Sequence, residues 1–119
     1  MDGMKCAKII EGIIAEIGTY RKAIEGKGIA KAKTMKAYDK ALAIAIAELG
    51  HNPTYELDGK TYKQPLATLR NIIAKGLVAD FLEEMEIAKS DYKAVISNLE
   101  ALEVQQNGYQ SINRWLDSI

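Results

Sequence analysis

Residues 81–102 read FLEEMEIAKSDYKAVISNLEAL, and the apolar positions of this stretch decide the fold. Phe81, Met85, Ala88, Tyr92, Val95, Leu99 and Leu102 follow one another at spacings of four and three in strict alternation. On an α-helix that spacing lines all seven side chains along one seam, the pattern by which helices pack nearly parallel to each other. Asp80, Glu83 and Glu84 share a different face and point into water. Upstream, Leu66, Leu69, Ile73 and Leu77 lead into the seam, which predicts a helix from 66 to 105 with a kink at Gly76. Asn107-Gly108 reads as a stop, yet Tyr109, Ile112, Leu116 and Ile119 resume the spacing beside Trp115. Either a short last helix folds back or one helix continues.

The N-terminal part carries a matching seam in Cys6, Ile10, Ile13, Ile17, Tyr20 and Ile24, widened by Ile9 and Ile14. Gly12 and Gly18 lie inside it, each costing about 1 kcal/mol relative to Ala in a helix interior. Two glycines in Gly26-Lys27-Gly28 predict the first break of the helix. A second helix is expected through Met35, Tyr38, Leu42, Ala45 and Leu49, closed by Gly50 and the stop His51-Asn52-Pro53.

Between the helices lies the one strand-like stretch. Asp58-Gly59 separates Tyr55-Glu56-Leu57 from Lys60-Thr61-Tyr62, and both turn residues of such a tight hairpin need positive φ. Two strands alone are marginal, so the hairpin must lean on the helices through Leu57 or the tyrosines. Pro65 is expected in the first turn of the following helix.

The fold class that follows is mainly all-α. It is an antiparallel helical bundle or long helical hairpin with coiled-coil-like seams and a protruding β-hairpin near residues 55–62, forming a single domain over 1–119. A hydrophobic fraction of 48% and a charged fraction of 27% place the chain among ordinary globular proteins rather than disordered ones. The single cysteine excludes an internal disulfide, no apolar run is long enough to span a bilayer, and the first residues lack the marks of a signal peptide. A cytoplasmic protein is expected.

Net charge is zero, but it is segregated. Residues 1–40 hold nine bases against five acids, whereas residues 80–119 hold three against eight. Helical segments of opposite charge attract each other within one chain or between two. A seam as long as Phe81, Met85, Tyr92, Val95, Leu99 and Leu102 also predicts a homodimer through this acidic helix.

The residues offer no chemistry of a recognised kind. Di-iron bundles need Glu-x-x-His pairs, and the only histidine is His51, in the expected loop beside Asn52-Pro53. Cys6 lies on a seam, where a thiol behaves as a small apolar group. Phosphate-binding, dinucleotide and nucleophile-elbow motifs are absent. No catalytic residue, metal site or cofactor is therefore assigned, and the chain is read as a non-enzyme. Lys33, Lys36 and Lys40 stack on one helical face, preceded by Lys27 and Lys31. Such a stripe suits an acidic protein surface or a phosphate backbone, and overall neutrality disfavours the latter.

Residues 92–114, from Tyr92-Lys93-Ala94 through Asn98-Leu99-Glu100-Ala101-Leu102 to Asn107-Gly108-Tyr109-Gln110-Ser111-Ile112-Asn113-Arg114, resemble the end of small helical proteins of bacteriophages and prophages. Those proteins have two helical arms, a middle loop and a final helix closing in a Gly-Leu-Gln-Ser-Ile-Leu-Arg-like stretch, from which Tyr109 and Asn113 depart. The resemblance implies a phage accessory protein, of a kind encoded near recombination or replication genes and without assigned chemistry. It transfers no catalytic residue.

Together these readings lead to an expected protein-binding role, as an inhibitor or adaptor of a larger machine and directed at a host protein. Tyr55, Leu57, Asp58 and Tyr62 of the hairpin and Lys33, Lys36 and Lys40 are the expected partner-binding residues. The alternative is a nucleic-acid-binding accessory factor in phage recombination or replication.

Overall fold

The computed structural model describes residues 2–118. Helix α1 (Gly3–His51) is followed by the hairpin β1 (Thr54–Leu57) and β2 (Lys60–Lys63), a 3-10 turn (Ala67–Leu69), α2 (Arg70–Leu77) and α3 (Ala79–Asp117). The mainly helical architecture is the one the seams imply, and the short antiparallel hairpin is the one Asp58-Gly59 implies. Ile119, the last position of the resumed spacing, lies outside the described residues.

The chain divides into two compact units, Met1–Ile29 with Ser90–Ile119, and Ala30–Lys89. In the first, Ile13, Ile17 and Leu102 are buried together, and Ile9, Tyr20, Leu99 and Tyr109 pack on them. The pairing is antiparallel. Rising positions on α1 meet falling positions on α3, as the Cys6 thiol donates to the Tyr109 carbonyl (3.2 Å), Arg21 pairs with Glu103 (3.7 Å) and Lys27 with Asp91 (3.8 Å). The two ion pairs are solvent-exposed and contribute at most about 1 kcal/mol each. Apolar burial does more, at about 1.5–3 kcal/mol for each fully covered Ile or Leu.

No break occurs at Gly26-Lys27-Gly28, because α1 runs through it. The buried phase is continuous: Tyr20, Ile24, Gly28, Lys31, Thr34 and Tyr38 are all half-buried at helical spacing. Tertiary packing along that face outweighs a local penalty of about 1 kcal/mol per glycine. Asn107-Gly108 is likewise helical, so α3 continues to Asp117.

In the second unit, Ala45 and Leu49 of α1 pack with Ala74 of α2 and with Val78. Tyr38, Leu42, Tyr55, Ile73 and Leu77 surround them. The helix is interrupted not at Gly76, the position expected to kink, but two residues later at Val78 (φ −108°, ψ 23°), between α2 and α3. The helical bonds nearly survive there: the Val78 N–H donates to Ala74 O (3.1 Å) and the Leu82 N–H to Val78 O (3.2 Å). Pro65 is not in the first turn of α2, which begins only at Arg70. Gln64 explains the delay, since its N–H bonds the Pro53 carbonyl (2.8 Å) and its side-chain Nε2 the Leu49 carbonyl (3.2 Å). Those bonds hold the chain beside the base of the hairpin, and the Leu49 bond caps an orphan carbonyl in the last turn of α1.

Candidate functional site

The hairpin is built as its turn residues demand. Asp58 (φ 52°) and Gly59 (φ 77°) both take positive φ, the pair of conformations that matches a two-residue turn to the twist of its strands. The register pairs Thr54 with Lys63, Tyr55 with Tyr62, Glu56 with Thr61 and Leu57 with Lys60. Side chains alternate along β1, so Tyr55 and Leu57 turn inward and are half-buried while Thr54 and Glu56 are exposed. Tyr55 packs on the core of the second unit and stacks on Tyr62, with ring centroids 5.3 Å apart and planes at 20°. All of β2 is exposed.

Backbone bonding follows from the register. Leu57 and Lys60 flank a two-residue turn and form a hydrogen-bonded pair, so Tyr55 with Tyr62 is the next such pair and Pro53 with Gln64 the one after. The Gln64-to-Pro53 bond fits that alternation. The N–H and C=O groups of Thr54 and Glu56 therefore point away from β2, and the sheet has only two strands.

Along this outer edge of β1 lie two adjoining hollows. The larger, about 530 Å³, has Ile44, Ala45, Leu49, Leu77 and Val78 as its apolar walls. Thr54, Tyr55 and Glu56 form its strand side, and Glu48 and Asn52 complete the lining. The smaller, about 310 Å³, runs past Glu56, Leu57 and Asp58 to Gly76, Ala79 and Asp80. Glu56 and Leu77 border both. Four carboxylates, Glu48, Glu56, Asp58 and Asp80, thus line the two hollows, and neither contains a lysine or arginine. Among the described residues no group of three or more His, Cys, Asp or Glu side chains is arranged to hold a metal. Nor is any helix of the described residues long and apolar enough to cross a membrane.

Of the expected contact residues, Tyr55, Leu57 and Asp58 reach these hollows, and Tyr62 stands exposed behind Tyr55. Lys33, Lys36 and Lys40 are exposed on α1 and form no ion pair among the described residues. Their helical face continues into Ile44 and Glu48, but none of the three lysines lines a hollow. Most of the seam expected to join two chains is covered in the single chain. Met85 and Leu102 are buried, Leu99 packs on the Ile13–Ile17 cluster, Tyr92 lies against Gly28, and Val95 is half-buried. Only Phe81, 43% exposed, stays open to solvent.

Sequence reasoning missed Ile44, Glu48, Glu56 and Leu77 as site residues. Ile44 carried a signal, because it is a large apolar residue off the Leu42–Ala45–Leu49 seam. Glu56 carried none beyond its alternation with Tyr55 and Leu57.

No family model, curated protein or solved structure matches the chain.

Proposed function

We propose that the chain is a non-enzymatic binding protein that occupies the surface of a larger protein machine, as inhibitor or adaptor, through the hairpin side of residues 30–89. The observation that carries this reading is the apolar hollow beside β1. Ile44 is 48% exposed at its wall, and an unpaired strand edge runs along it. An unpaired strand edge beside exposed apolar side chains is a surface on which an extended partner segment can dock. The resemblance of residues 92–114 to phage and prophage accessory proteins supplies the context of a host protein as target.

The test is capture of the tagged chain from its native host with and without nuclease. A protein partner that survives nuclease supports the reading, and loss of every partner on nuclease treatment favours the second one. That second reading, a nucleic-acid-binding accessory factor, is supported by Lys33, Lys36 and Lys40, which are exposed with no carboxylate partner among the described residues.

A further inference from the structure

The two edges of the hairpin differ in a way that bears on what binds there. The outer edge of β2 is flanked by Lys60 and Lys63, and charged lysines are a common guard against strand pairing. The outer edge of β1 carries no lysine, its one charged side chain being Glu56. It presents the backbone groups of Thr54 and Glu56 beside apolar walls, and the charged side chains lining the hollows along it are all negative: Glu48, Glu56, Asp58 and Asp80. A lysine-free edge over an apolar hollow favours an extended chain whose backbone continues the sheet. Side chains of such a chain alternate in direction, so every second one faces the walls. Those facing Ile44, Leu77 and Val78 must be apolar, and those facing the carboxylates must be basic.

We propose that β1 accepts a third strand, an extended partner segment of about five residues that alternates apolar with basic side chains and pairs with the outer backbone groups of Thr54 and Glu56. The length follows from the reach of the hollows along β1 from Thr54 to Asp58. This rests on the protein-binding reading and names the class of segment bound. An acidic segment is excluded by four like charges, and a helix cannot supply edge hydrogen bonds because its own backbone groups are already paired.

The experiment uses the full chain and a fluorescein-labelled blocked peptide, Lys-Val-Arg-Val-Lys-Leu-Lys-Val, read by anisotropy. Saturable binding is expected, accompanied by slowed amide exchange at Thr54 and Glu56. Methylating alternate peptide nitrogens in the register that faces β1 should abolish binding, and methylating the other register should not. The pair Glu48→Lys and Glu56→Lys, both on exposed positions, should weaken binding by at least about tenfold with an unchanged thermal melt. A counterpart peptide with Glu at each basic position should not bind.

No binding to the wild-type chain, equal binding of both methylated registers, or equal binding of the acidic counterpart would each overturn strand addition. Captured partners separate this from the broader reading. A nuclease-resistant partner still held by the Glu48→Lys, Glu56→Lys chain overturns strand addition and leaves the protein-binding reading standing.

Discussion

Gly28 and Tyr92 face each other across the first unit, and a Cβ built on Gly28 would lie 3.4 Å from the Tyr92 ring edge. Gly26, two residues earlier, has nothing within 4 Å of the same built atom. The two glycines thus have opposite consequences. Gly26→Ala should stabilise the protein by about 1 kcal/mol, because helix propensity improves and no contact opposes it. Gly28→Leu should destabilise it, because the longer side chain must displace the ring. Chemical denaturation of both variants checks the pair, and equal shifts would show that Tyr92 does not pack there.

Leu99→Asp places a charge beside Ile13, Ile17 and Leu102. Loss of about 3 kcal/mol or more is expected, because a carboxylate enters a cluster with no partner for it. Phe81→Asp, at a position 43% exposed on the same heptad, should cost far less. Thermal melts of the two variants distinguish a seam covered within the chain from one covered by a second chain. In the latter case both variants would reduce the mass seen by light scattering.

The same comparison shows what the amino-acid pattern reveals and what it conceals. The alternation from Phe81 to Leu102 identifies a helix and its buried face, because periodicity is local. It does not identify the covering element, since the α1 seam of Ile13 and Ile17 and the seam of another copy are equally apolar. Asp58-Gly59 announced its turn for a related reason, since both positive φ angles belong to the turn residues themselves. The helix across Gly26-Lys27-Gly28 was hidden because non-local packing overrides propensity there. The hollow beside β1 was hidden because Ile44, Tyr55 and Leu77 meet only in three dimensions.

Tyr55 joins the hairpin to the core, whereas Tyr62 is exposed and stacks on Tyr55. Tyr55→Ala should therefore cost about 2–3 kcal/mol, and Tyr62→Ala about 1 kcal/mol. Gly59→Val should destabilise the hairpin more than Gly59→Asn, because a β-branched side chain tolerates φ 77° poorly. Melting temperatures order the four variants, and a Tyr62→Ala loss equal to that of Tyr55→Ala would contradict the division of roles.

Cys6 is fully buried, and its thiol donates to the Tyr109 carbonyl. Labelling by a thiol reagent should be slow in the native protein and should accelerate with denaturant as α1 and α3 separate in that unit. Immediate labelling of the native chain would place Cys6 at the surface.

The account turns on whether the hollow beside β1 holds a protein. Ile44→Asp alters its wall at a position 48% exposed, so the fold should melt as the wild type does. The decisive measurement is nuclease-treated affinity capture from the native host with the wild-type and Ile44→Asp chains side by side. A protein partner retained by the wild type and lost by Ile44→Asp, with matching melts, is the expected result. Loss of every partner to nuclease, or the same partners on both chains, would contradict it.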